Sequence, residues 1–289
     1  MENKTKYIKG LDGLRALAVV MVLAYHLKIP FAKSGLLGVT VFFVLSGFLI
    51  TRILITEIEE THTIDRKNFW VRRIRRLIPA VLSMTVVIIF VSAVVNRVVF
   101  TKGCKDFVAS VLGFNNWWQI FNKVSYFEAA GAPSPFTHCW SLAIETQFYL
   151  IYPILLLLLA RVVRGRKKRG KVFAFVSVLL AVVSMILMAV LYNPNGDPSR
   201  VYYGTDTRAF SLLIGALAAI QLEYRIIKVR LPRKIWALIG SISLVILTCM
   251  MIFISSYSSF LYYGGQVILS VLTAFIVYAV TVSRSILNK

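Results

Sequence analysis

The sequence predicts an all-α, polytopic transmembrane helix bundle of about eight spanning helices plus one re-entrant or interfacial segment. Three observations predict it. Apolar residues make up 58% of the 289, above the roughly 45–50% of a soluble domain. Charged residues are only 16% and the mean hydropathy is +0.76. The apolar residues also gather in stretches near the ~20 residues that a helix needs to cross a hydrocarbon core. A 32.6 kDa chain cannot hide that much apolar surface in a globule. The same composition excludes a disordered, collagen-like or disulfide-stapled chain. Cys104, Cys139 and Cys249 lack metal-ligand spacing, so no metal site is expected. Cys249 reads as a filler in an apolar run, and a Cys104–Cys139 disulfide is the less favoured alternative.

The eight stretches run over 11–29, 36–56, 78–98, 140–160, 172–192, 207–223, 235–254 and 260–282. The first is not a cleaved signal. It holds Asp12 and Arg15, lacks a small-residue cleavage site and is followed at once by a second stretch. A ninth stretch, FVASVLGFNNWWQIF (107–121), is short and carries Asn115, Asn116 and Gln119. The positive-inside rule decides its path. With the N-terminus inside and 107–121 not crossing, 23 Lys and Arg fall inside and 7 outside. If it crosses, 11 fall inside and 19 outside. The first arrangement gives eight spans, both termini cytoplasmic, and a re-entrant piece whose Trp117 and Trp118 suit the headgroup boundary. The net charge of +21 then reads as retained loops against anionic membrane lipid, not as nucleic-acid binding. The basic run at 161–171 is a loop of that kind.

Ionisable groups within spans are costly and mark candidate sites. Arg15 and His26 are 11 residues apart, which puts both on one helix face, about 16 Å apart along the axis. In the second stretch, Gly38, Ser46 and Gly47 read as close-packing positions. Arg72, Arg73, Arg75 and Arg76 precede the third, at spacings that can present guanidinium forks to phosphates. Pro79 follows near the start of that span. In THCWSLAIETQFYL (137–150), His138, Ser141 and Glu145 share a face at i,i+3 and i,i+7, and Gln147 adds a polar group. Asp206 and Arg208 open the sixth stretch and could pair with each other or with Glu145 and His138. On this topology His26, Thr40, His138, Ser141, Glu145, Asp206 and Arg208 fall in the outer half. Arg15 and the Arg72–Arg76 cluster fall in the inner half. That layout suits a polyanionic donor from the cytoplasm and an acceptor at the outer face.

These segments resemble the acyltransferase-3 family of bacterial integral-membrane O-acyltransferases. LDGLRALAVVMVLAYH is similar to its R-x10-H first helix, GVTVFFVLSGFLI to its second-helix motif, and RRIRRLIPA to its arginine-rich third helix. THCWSLAIETQFYL and TDTRAFSLLIGALAA resemble two later motifs, all in the expected order over 11–220. The resemblance implies acyl transfer, usually acetyl from acetyl-CoA, to a hydroxyl of an envelope carbohydrate acceptor such as peptidoglycan, in the bacterial plasma membrane. It implies His26 as catalytic base, Arg15, Arg72, Arg73, Arg75 and Arg76 as donor-binding, and Glu145 with His138 as proton-sharing groups. Ser141, Gln147, Asp206 and Arg208 are expected in supporting roles.

Three departures stand out. Position 40 is Thr where Asp is common, and position 146 is Thr where Glu is usual. The chain also stops at Lys289, where the family continues with further helices. The expectation is a single acyltransferase domain over 1–289 that lacks those helices and any soluble extracytoplasmic domain. A partner protein would then supply the helices or a second transfer step. The competing expectations are a transporter without chemistry and an inactive fragment.

Overall fold

The computed structural model describes residues 8–127, 134–229 and 231–285. Among them the chain is helical and contains no strand. The helices are α1 (Lys9–His26), α2 (Gly38–Thr61), α3 (Arg66–Val95), α4 (Arg97–Val111), α5 (Asn115–Phe121), α6 (Trp140–Val162), α7 (Arg166–Leu191), α8 (Ser199–Tyr203), α9 (Thr205–Tyr224), α10 (Arg233–Phe253) and α11 (Gln266–Ser285). Among the described residues, six helical segments are long and apolar enough to cross a membrane: Gly35–Thr61, Arg66–Val95, Thr137–Val162, Arg166–Leu191, Arg233–Phe253 and Leu261–Val282. The helices α1 and α9 are not among the six. Both carry charge within them, Asp12 and Arg15 in one, Asp206, Arg208 and Glu223 in the other.

Helix α2 is the axis of the bundle. Of its apolar window 67% is buried, against 17% for α3. It packs along α9, and reciprocal glycines bring the two backbones together. A Cβ on Gly47 would overlap the Leu212 carbonyl oxygen, and one on Gly215 would overlap that of Val44. Only a missing side chain permits such an approach. The two helices run parallel, because Thr40 meets Arg208 at their starts and Glu59 meets Tyr224 at their ends, with Arg52 bonded to Glu223 between. The bundle therefore has a histidine end, with His26 and His138, and a basic end, with Arg15, Arg52, Arg73, Arg76 and Arg169. Apolar side chains such as Phe90 on α3 and Phe175 on α7 are exposed on its outside, as lipid contact requires.

Several expectations change here. The third span is not preceded by a separate arginine segment. Asp65 caps α3 by accepting the Asn68 backbone N–H at 3.0 Å, so the helix starts at Arg66. Pro79 consequently lies in the helix interior rather than near its start, and it cannot donate a backbone hydrogen bond there. Hydrogen bonding from the Asn68 backbone and side chain holds the Asp65 carboxyl below its usual range. Residues 107–121 are split between α4 and α5 by a turn at Gly113, whose φ of +75° favours glycine. The basic run at 161–171 is only partly a loop. Arg166–Lys171 winds into α7, and Arg169 is buried against Glu59 at 2.8 Å. Tyr224 donates to the same carboxylate oxygen at 2.6 Å. Cys104, Cys139 and Cys249 are all free thiols, and Cys249 is exposed.

Candidate active site

At the basic end, α1, α2, α3 and α6 enclose a cavity of about 530 Å³. Its polar lining is Asp12, Arg15, Ser46, Arg52, Arg73, Arg76, Glu145 and Tyr149. Arg15 donates through Nη1 to Asp12 Oδ1 at 2.7 Å, one turn back on α1. Arg73 is partly buried, with its guanidinium 5.6 Å from the ring centroids of both Phe69 and Tyr149, and its Nε has no partner. Arg76 lies three residues on and faces the same space. Arg72 and Arg75 are exposed and do not line the cavity, so the four-arginine cluster divides by helical phase.

Glu145 closes the cavity. Its Oε2 accepts from Ser46 Oγ and Tyr149 OH, both at 2.8 Å, and those two hydroxyls are 2.5 Å apart. The carboxylate therefore has two hydrogen bonds and shares the cavity lining with the Arg73 and Arg76 guanidinium groups. Its expected partnership with His138 is not what the structure builds. Seven residues separate the two, about 10 Å along the axis. They share a face, but Glu145 belongs to the arginine cavity and not to the histidine end. Ser141 likewise does not reach Glu145; its Oγ turns back to the His138 carbonyl at 3.4 Å.

The histidine end is aromatic. His26 Nδ1 lies 2.7 Å from the Val22 carbonyl oxygen. A carbonyl only accepts, so Nδ1 carries the proton and Nε2 is the free acceptor of the neutral ring. Tyr126 OH lies 3.2 Å from that Nε2 and is its donor. The His138 ring stands edge-on to His26, centroids 4.7 Å apart. Tyr126 packs against Tyr202 and Trp140, with centroids at 4.7 and 6.0 Å, and its backbone N–H donates to Ser199 Oγ at 2.7 Å. Burial pushes the Tyr126 phenol above its usual range, reinforced by Tyr25 and opposed by Arg208. The phenol thus remains a neutral donor near neutral pH. A hydroxyl held against an oriented imidazole is the geometry of base-activated nucleophile chemistry.

A buried amide network carries the Tyr126 loop. Gln147 Nε2 donates to the Gly113 carbonyl at 3.0 Å and to Asn116 Oδ1 at 2.9 Å. Gln147 Oε1 accepts from Thr205 Oγ1 at 2.6 Å and from the Trp117 indole at 3.2 Å. Asn116 Nδ2 donates to the Tyr203 carbonyl at 3.0 Å, and Asp106 takes Trp118 and Gln119 at 2.7 and 2.9 Å. These bonds tie α4 and α5 to α6 and α9. Asp206 pairs with Arg200 through two bonds of 3.1 and 2.8 Å, not with Arg208. Arg208 instead reaches Thr40 Oγ1 at 2.8 Å. Among the described residues, that hydroxyl is the hydrogen-bond partner the guanidinium has.

The sequence profile of an acyltransferase domain matches residues 8–287, nearly the whole chain. The chain belongs to the acyltransferase-3 family. It is 44% identical over 287 residues to the peptidoglycan O-acetyltransferase OatA of Listeria monocytogenes, covering 98% of this chain and 46% of the relative. It is 43% identical to YrhL of Bacillus subtilis, covering 100% and 46%, and 39% identical to the O-acetyltransferase SACOL0978 of Staphylococcus aureus, covering 96% and 46%. The chain thus spans about half the length of these relatives. No solved structure matches it.

The reading from the residues placed Arg15, Arg73, Arg76 and Glu145 among candidates, and they share one cavity. It placed His26 and His138 together, and they touch. It missed Tyr126, Ser46 and Tyr149. Ser46 stands beside Gly47 in a close-packing pattern, and Tyr126 lies in a polar loop with no periodic pattern. Tyr149 did leave a signal, since it follows Glu145 by four residues and so meets it on the helix.

Proposed function

We propose that this protein is an acyltransferase of the bacterial plasma membrane that moves an acetyl group from acetyl-CoA to a hydroxyl of a peptidoglycan-type glycan. The single observation that carries the reading lies on α1. Arg15 lines the arginine cavity, and on the same helix His26 turns its unprotonated Nε2 to the Tyr126 hydroxyl. The excess of basic residues orients the basic end to the cytoplasm, with eight spans and both termini inside. The Gly113 turn between α4 and α5 is then the re-entrant segment at the outer face. The donor's phosphates are met by Arg73 and Arg76, with Arg15 beside them, because guanidinium groups form strong charge-assisted bonds to phosphate oxygens. Glu145, fixed by Ser46 and Tyr149, orients Arg73 and Arg76 across the cavity. At the outer face His26 takes the proton of the acceptor hydroxyl as it attacks the acyl carbonyl and returns it to the leaving thiolate. His138 and the Tyr126 cage hold the imidazole in place. The glycan acceptor is supported by the name of the Listeria relative and by the exposure of His26 and His138.

The test is complementation of a deletion host with His26→Ala and Arg15→Ala, scored as ester-linked acetate on purified envelope glycan. Both variants are expected to lose acetate at normal membrane levels of protein. Unchanged acetate in both sinks the proposal.

A further inference from the structure

Arg208 lies fully buried near the start of α9. Its Nη2 bonds to Thr40 Oγ1, while Nε and Nη1 have no partner. The guanidinium sits over the rings of Phe43 and Tyr202, 5.6 and 5.1 Å from their centroids. The ionisable groups facing it are the phenols of Tyr202, Tyr262 and Tyr126. Among the described residues no carboxylate bonds to it, and Asp206 is committed to Arg200. Among the described residues this positive charge therefore stands in the interior with no counter-charge, which is among the costliest arrangements a protein can hold.

A second orphan stands at the same level. Ser270 Oγ donates to Ser211 Oγ at 3.0 Å and pins α11 to α9. One turn toward the histidine end from each serine, α9 presents Arg208 and α11 presents Gln266. Gln266 is 1% exposed, and neither its Nε2 nor its Oε1 has a partner. It directly follows a kinked segment, Leu261–Gly265, in which Gly264 leaves helical geometry and which contains Tyr262. Thr40, Arg208 and Gln266 are all outside the lining of the arginine cavity.

We propose that Arg208 and Gln266, with Thr40 beside them, form a binding site for a small monovalent anion, a halide or a carboxylate, between α2, α9 and α11. The anion supplies the charge that the described residues withhold, and it accepts from the free guanidinium N–H groups and from the Gln266 amide. This site is independent of the acyl-transfer reading.

Thermal unfolding of the purified chain in detergent tests it. Replacing isethionate, a sulfonate, by chloride or acetate at constant ionic strength is expected to raise Tm saturably by roughly 2–4 °C. A response to acetate alone identifies a carboxylate ligand, and a response to chloride as well identifies a resident inorganic ion. Thr40→Asp supplies an internal carboxylate; it is expected to abolish the anion response while keeping Tm in isethionate at or above that of the parent. Gln266→Leu is expected to raise the midpoint of the anion titration about tenfold. A Tm indifferent to both anions overturns the site, as does a Thr40→Asp or Gln266→Leu protein with an unaltered response.

Discussion

The two ends of α1 solve opposite problems. The basic end is an open cavity whose charges keep free donors, as at Arg73 Nε. The histidine end is packed with rings, and its His26 imidazole is bonded on both nitrogens. A site for a large polyanion needs volume and unsaturated cations. A site for a proton transfer needs one group in one tautomer, held still. Under the proposed function, binding falls at one end and chemistry at the other, and mutations at the two ends should separate in their kinetics.

The largest effect is expected at the histidine end. His26→Ala should lower kcat by about 10²–10⁴-fold with little change in KM for acetyl-CoA, measured in reconstituted vesicles. A pure KM effect would place His26 in binding and break the division. Next comes the cavity, where Arg73→Ala should raise KM for acetyl-CoA by about 10–100-fold, the loss of one charge-assisted bond, with kcat largely kept. Glu145→Gln sharpens the same point. It should raise that KM by about tenfold without touching the His26 step, since the carboxylate serves the arginines; a kcat loss matching His26→Ala would return Glu145 to the histidine end. The scaffold between the ends should answer in stability. Gln147→Leu strands the Gly113 carbonyl, Asn116 and Thr205, and should cost about 1–3 kcal/mol in unfolding measurements. Smallest of all, Arg72→Ala and Arg75→Ala should leave KM within about twofold, because exposed charges are screened.

The family, the helical class and the approximate positions of the long helices were legible in the residues. Apolar stretches of membrane length admit few other structures, and the spacing of Arg15 and His26 placed both on one face. The amides of 115–119 announced a segment unsuited to lipid. Where those amides go was not legible, since hydrogen bonds from Asn116 to Tyr203 span 87 positions of sequence. Glu145 shows the same limit. Periodicity offered it His138 as a neighbour on its own face, yet the approach of α2 and α3 gave it Ser46 and the arginines instead.

What the sequence determined by itself, then, is which residues could not tolerate lipid and on which helical face each would stand, because hydration cost and the 100° helical step are local properties. Only the tertiary structure decided which of those faces meet. The Gly47 and Gly215 contact sets α2 against α9, and that packing brings Thr40 rather than a carboxylate to Arg208. The loop after α5 delivers Tyr126 to His26. Partnership across helices depends on how closely backbones approach and on the paths of connecting loops, and neither is written in the periodicity of one helix.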